Sequence, residues 1–110
     1  MPDILHHDTD DMPWTCAAAR GVSYKSLRYD ADSGAGAVLL HMCPSTPYPP
    51  ARMHAGAEIL VLDGDLELGG RRLGRGAYAF LPSQTESSPF SAGGCVLYVT
   101  YPGRVEGLDT

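Results

Sequence analysis

The sequence predicts an all-β domain, an antiparallel sandwich or barrel, and three observations carry that prediction. Apolar runs of strand length, alternating or continuous, recur from Tyr24 to Tyr101. Glycine and proline, 13 and 9 of 110 residues, cluster between those runs, where the chain has to turn. No segment sustains the 3.6-residue period of an amphipathic helix. Short strands punctuated by turns, with almost no helix, form sandwiches and barrels.

Taken in order, residues 1–13 are acidic and polar and read as an arm that needs a surface to pack on. Trp14, the sole tryptophan, is its expected anchor, against the barrel or a partner subunit. Cys16 to Arg20 has room for one helical turn before Gly21. Tyr24 to Tyr29 alternates, with Lys25, Leu27 and Tyr29 on one face, and Asp30 to Gly34 supplies turn chemistry. Ala37 to Cys43 is an apolar strand expected to be covered on both sides, its exposed run Val38 to Met42 by a second copy, followed by a loop with Pro44, Pro47, Pro49 and Pro50 that cannot join a central ladder.

Glu58 to Leu62 is the next strand, and Asp63-Gly64 favours a hairpin that returns through Asp65 to Leu68. Glycines at 69, 70, 74 and 76 bracket a short element around Leu73. Ala77 to Leu81 is strand-like and stops at Pro82. A polar loop over 83–88 leads to Phe90, and Gly93-Gly94 turns the chain into a last strand, Cys95 to Tyr101. The expected organisation is an arm over 1–13, one domain over 14–102, and a loose polar tail over 103–110.

Composition narrows the partners. The net charge of −5, with Arg71, Arg72 and Arg75 as the only basic cluster, argues against nucleic acid and anionic membrane, since both need a basic face. No apolar run reaches bilayer-spanning length, and the N-terminus lacks a signal-peptide pattern. Three widely spaced cysteines, Cys16, Cys43 and Cys95, suit a reducing compartment better than a disulfide framework. The expectation is a cytoplasmic protein.

The chemistry concentrates in Arg52-Met53-His54-Ala55-Gly56-Ala57-Glu58, where an imidazole and a carboxylate stand four residues apart. Both groups suit a transition metal. They equally suit a hydrogen-bonded polar cluster with Arg52 at a barrel mouth. Alternation sets Glu58, Leu60 and Leu62 on one face, so a pocket carrying Glu58 would have apolar walls and one acidic corner.

These residues resemble the cupin superfamily of RmlC-like jelly rolls, and within it the ChrR-type cupin domain. The first family motif is roughly G-x5-H-x-H-x3,4-E-x6-G, and His54, Glu58 and Gly64 fall on its second His, its Glu and its closing Gly, with five residues rather than six between the last two. Gly76 and Pro82 match the second motif, G-x5-P-x-G-x2-H. Met12-Pro13-Trp14, Ile59 to Asp65 and Gly93 to Val99 also look like that subfamily.

The resemblance implies a small antiparallel double-stranded β-helix, the cupin jelly-roll barrel. It further implies a divalent metal (Fe, Mn, Ni or Zn) held by three His and one Glu. This chain departs from that set, with Arg52 at the first His, Ser87 at the last, and Gln84 at the second motif's inner Gly. Arginine stays protonated and is a poor ligand. An Arg facing Glu58 would pair with it instead. Further donors that could complete a shell with His54 and Glu58 are His41, Cys43, Glu86, and His6 or His7 from the arm.

Three functions follow. The first is a binding module with a degenerate metal site, holding a small organic ligand in a pocket formed by Arg52, Tyr48, Leu60, Phe80, Glu86, Ser87 and His41. The second is a metal-dependent enzyme, dioxygenase- or isomerase-like, using His54 and Glu58 plus donors outside the motif. The third is a ChrR-like regulatory sensor. The helical zinc domain of those anti-sigma factors has no counterpart here, so direct sigma-factor binding is not expected. Small cupins usually pair sheet to sheet, and a homodimer is expected.

Overall fold

A computed structural model describes residues 3–48, 51–53, 55–103 and 105–106, with the side chains of 51, 52, 105 and 106 outside the description. In chain order the strands are β1 (Thr15–Cys16), β2 (Val22–Tyr29), β3 (Gly36–Met42), β4 (Thr46–Pro47), β5 (Ala51–Met53), β6 (Ala57–Leu68), β7 (Arg71–Gly74), β8 (Tyr78–Leu81), β9 (Thr85–Ser87), β10 (Phe90–Ser91), β11 (Cys95–Tyr101) and β12 (Val105–Glu106). All pairings are antiparallel. The larger sheet runs β1-β2-β3-β11-β6-β10-β4, with β7 and β8 also on β6, and the smaller is β12-β5-β9. The fold is the expected antiparallel jelly-roll barrel. Among the described residues, no helix is long and apolar enough to cross a membrane.

Strand β6 is the spine. Its first half pairs with β11 and β8, and its second half with β7 and β10. Ala57, Ile59 and Val61 point into the core, while Glu58, Leu60 and Leu62 face out. At Leu62 the register slips, because Val96 pairs with Asp63 but Leu97 pairs with Val61. This bulge lets Leu66 turn inward five residues after Val61.

The hairpin expected at Asp63-Gly64 does not form, because β6 continues through it. Gly64 takes a positive φ of 82° and packs against the Gly94 carbonyl so closely that any Cβ would collide with it. The tight turn lies further on, at Gly69-Gly70, whose φ values of 59° and 78° suit a two-residue hairpin between Leu68 and Arg71.

Other expectations also change. Cys16 belongs to β1, and no helical turn forms between it and Gly21; the one turn of 3-10 helix among the described residues lies earlier, at Thr9–Asp11. The polar stretch 83–88 contains β9, which is paired with β5. Val105 and Glu106, expected in a loose tail, pair with Met53 and Arg52. The apolar run Val38 to Met42 is no exposed surface. It is the middle strand between β2 and β11, with Val38, Leu40 and Met42 buried and Leu39 and His41 half-buried on the outer face.

The core gathers Leu40, Met42, Ile59, Val61, Leu66 and Leu97 between the curled halves of the barrel. The arm lies on the outer face of β2 and β3. Lys25 Nζ donates to the Thr9 carbonyl at 2.6 Å and sits 4.6 Å from the Trp14 ring centroid, and the Trp14 and His41 rings are 5.7 Å apart. These contacts leave Lys25 only 8% exposed, which is why a lysine on an outer strand face is buried at all.

Candidate functional site

Small sheet β12-β5-β9 brings the two motif regions together. Its register sets Ala51 opposite Ser87, Arg52 opposite Glu86 and Met53 opposite Thr85. Two backbone bonds lock the loops on either side, from Gln84 N–H to the Met53 carbonyl at 2.7 Å and from Gly56 N–H to the same carbonyl at 3.2 Å. Gln84 has a φ of 65°, so a left-handed backbone is used where the family motif has glycine. The fold therefore keeps the motif's backbone shape even where its residue types have changed.

The metal ligands are another matter. Glu58 is exposed on the outer face of β6 and accepts a 2.7 Å hydrogen bond from the Tyr78 hydroxyl. That bond, with a smaller contribution from desolvation, holds the Tyr78 phenol above its usual pKa. The motif keeps six residues between its Glu and its closing Gly. The residue that leaves six between itself and Gly64 is Ala57, which is 1% exposed and faces inward. Counted from His54 the motif position is Glu58; counted along the strand it is Ala57. Period-2 alternation makes that one-residue difference a change of side.

His54 lies outside the described residues, as does the Arg52 side chain. His41 faces out against Trp14, Cys43 and Glu86 are exposed, and the His7 ring donates to the Leu27 carbonyl at 2.9 Å. Among the described residues, no three His, Cys, Asp or Glu side chains converge as a metal shell. With a methyl group at 57, a hydroxyl at 87 and the carboxylate outside, the residues present do not fit a three-His, one-Glu centre. Glu58 is engaged by Tyr78, and the backbone register sets Arg52 opposite Glu86; the suggested pairing of the Arg52 guanidinium with Glu58 lies outside the described residues.

The residues instead build an apolar cavity. Leu40, Met42, Met53, Ile59 and Leu97 line it, together with Tyr48 and Ser87. Its volume is about 50 Å³. A single water needs about 10–15 Å³, and an apolar cavity that admits benzene measures about 150 Å³. The Ser87 hydroxyl borders this space with its oxygen buried and, among the described residues, without a hydrogen-bond partner. An unsatisfied buried hydroxyl costs roughly 1–3 kcal/mol, so the site is poised for a group that would bond to it.

Of the expected pocket residues, Tyr48 and Ser87 line this cavity. Leu60 and His41 do not, because they face outward. Phe80, Glu86 and Ser87 border a second, open groove between β7, β8 and β9. Ile59, Leu40 and Leu97 were missed as lining. The signal for them was present in the alternation, since whichever face carried Glu58, Ile59 and Val61 had to take the other.

A family model described as the ChrR cupin-like domain matches residues 3–103. No curated protein matches the chain. Among solved structures, a putative acetylacetone dioxygenase from Methylibium petroleiphilum superposes with a TM-score of 0.87 at 11% identity, covering 96% of this chain and 81% of that one. The polyketide cyclase RemF from Streptomyces resistomycificus gives 0.73 at 22% identity, covering 100% and 85%. The Rhodobacter sphaeroides SigE complex with the anti-sigma ChrR gives 0.73 at 21% identity, covering 86% of this chain and 50% of that one. At such identities these likenesses establish the shared fold and nothing finer.

Proposed function

This chain belongs to the ChrR cupin-like domain family, and from that premise we propose that it is a small binding module. Its metal site has eroded, and its barrel interior takes a small, uncharged, mainly apolar organic ligand. The observation that carries the reading is the Ser87 hydroxyl, buried and without a partner among the described residues, at the edge of an otherwise apolar cavity. Apolar walls supply affinity through desolvation, and the single hydroxyl orients an oxygen- or nitrogen-bearing group. The small volume favours a compact ligand of few heavy atoms, or a longer one that reaches out past Ser87. A metal-dependent dioxygenase or isomerase would need Glu58 to leave Tyr78 and cross the sheet.

The test is titration with paired probes, such as acetone against isobutene, while following the methyl signals of Met42 and Met53 in the full chain. The oxygenated probe is expected to bind more tightly, and Ser87→Ala is expected to abolish the preference. A carbonyl preference that survives Ser87→Ala, or silence at both methionines, would sink the proposal. Stoichiometric metal that is lost in His54→Ala would sink the eroded-site part of it.

A regulatory sensor is the second reading, favoured by the family match itself. It requires ligand occupancy to change the protein's association. A ligand that shifts Met42 without altering association would count against it.

A further inference from the structure

On β2 the face that carries Lys25 does not carry Tyr29, although strict alternation expects both there. The register with β3 slips between Ser26 and Arg28, so that Ser26 pairs with Val38 and Arg28 already with Ala37. Leu27 is the extra residue of a bulge, and a bulge moves every later side chain to the other face. Tyr29, and not Arg28, therefore joins Tyr24 and Ser26 on the face of Val38. Strand β11 brings a third phenol to the same end, because Tyr29 pairs with Gly36 and Gly36 with Tyr101.

Gly36 is what lets that row close up. A Cβ there would lie 2.9 Å from the Tyr101 hydroxyl oxygen and 2.8 Å from the Arg28 carbonyl, so the phenol end of Tyr101 rests where any other residue would keep its side chain. Tyr24, Ser26, Tyr29, Val38 and Tyr101 together line a pocket of about 210 Å³. Tyr101 is 5% exposed. Among the described residues, none of the four hydroxyls in this lining has a hydrogen-bond partner. Burial holds the Tyr101 phenol above its ordinary pKa, with Tyr29 adding to the shift and Arg28 opposing it. At neutral pH it therefore keeps its proton and has it to donate.

Size, lining and charge narrow the occupant. A cavity of about 150 Å³ admits benzene, so about 210 Å³ holds one six-membered ring with a small substituent. Three tyrosine rings and a valine offer edge and face contacts to such a ring. A sugar would bring more hydroxyls than this mainly carbon lining can satisfy. Arg28 and Asp30 flank Tyr29 in the chain, and the Asp30 carboxyl is held below its usual range, chiefly by accepting from the Asp32 N–H, so it stays ionised. The two charges offset, and neither sign is favoured in the ligand. We propose that Tyr24, Ser26, Tyr29 and Tyr101 form a second binding site, for a neutral monocyclic aromatic that carries a hydroxyl. The Tyr101 hydroxyl donates to the ligand oxygen, the ligand hydroxyl donates to one of the other three, and Val38 packs against the ring. The site does not depend on the ligand proposed for the barrel interior, although Val38 and Tyr101 line that cavity too.

Titration of the full chain with p-cresol and with toluene, which has the same ring and methyl group without the hydroxyl, tests it. The ring signals of Tyr24 and Tyr29 report this pocket, and the Met42 methyl reports the apolar cavity. p-Cresol is expected to shift both tyrosines and to bind at least about tenfold more tightly than toluene. Tyr101→Phe keeps the ring, and with it the packing, and is expected to bring the two probes within about threefold of each other. Ser87→Ala is expected to leave both titrations at the tyrosines unchanged, which separates this site from the one proposed for the interior. Equal binding of the two probes overturns the proposal. So does a p-cresol shift absent from Tyr24 and Tyr29, a preference that survives Tyr101→Phe, or one that Ser87→Ala removes.

Discussion

Tyr78 donates its hydroxyl proton to Glu58 Oε1 at 2.7 Å across two neighbouring strands, and this diagonal pair sits outside the barrel. A carboxylate that reads as a metal ligand in the linear sequence is thus a surface acceptor. The bond favours protonated Tyr78 over its phenolate, because a phenolate beside Glu58 would lose the bond and face like charge.

Glu58→Gln is therefore expected to lower the Tyr78 pKa toward the ordinary tyrosine value. Ultraviolet difference titration of the phenolate band, with Tyr78→Phe to identify the signal, measures it. The folded value is raised, so any stabilisation from the pair is intact below the unfolded tyrosine value of about 10 and is lost as pH rises through the folded value. A Tyr78 titration unmoved by Glu58→Gln would show that the bond does not form in solution.

The change of side at positions 57 and 58 sets a contrast between two substitutions. Ala57→Glu forces a carboxylate into the buried face and is expected to cost about 3 kcal/mol or more. Glu58→Ala removes an exposed group and is expected to change stability by less than about 1 kcal/mol. Urea unfolding ranks the two directly, and the reverse order would refute the assigned face.

Cysteine chemistry separates along the same lines. Cys16 and Cys43 are exposed, whereas Cys95 is buried and its thiol is pushed above the usual range, mainly by desolvation. Mass spectrometry after brief iodoacetamide treatment of native protein is expected to show alkylation at Cys16 and Cys43 but not at Cys95. The unfolded chain ionises its Cys95 thiol near pH 8.5, before the folded one does. Stability from this group is therefore complete below that pH and falls as pH rises through the folded value. Rapid labelling of Cys95 in the native protein would contradict the burial.

At Gly64 the expectation is steric. A Cβ there meets the Gly94 carbonyl from a positive φ, so Gly64→Ala is expected to destabilise by more than about 2 kcal/mol. Gly69 and Gly70 also have positive φ but open space around them, so Ala at either should cost less. Thermal unfolding of the three variants gives the comparison.

Much of the barrel was legible because strand periodicity is a local property. The runs at Tyr24 to Tyr29, Ala37 to Cys43 and Cys95 to Tyr101 all became strands within a residue or two of their expected ends. Asp63-Gly64 was misread because an Asp-Gly pair signals a hairpin only when the backbone beyond is free to turn. Here Gly94 packs beside it and the strand runs on. Strand β9 was hidden because its residues are polar and its pairing partner is more than thirty residues away. The cavity was half visible: spacing along the motif named Ser87, but phase along β6, which assigns Ile59 to the inside, had to be counted from the other end.

That phase has an origin, and it is the contact between Gly64 and the Gly94–Cys95 backbone. A strand can slide along its neighbours by one residue only if nothing along it is shape-matched to a single partner. Gly64 is so matched, and it indexes the inward row Ala57, Ile59 and Val61. A slip of one step would carry Glu58, Leu60 and Leu62 into the barrel and expel the present wall. A residue that contributes no side chain thus acts as the molecule's zero mark, deciding for the strand before it which atoms any guest will touch.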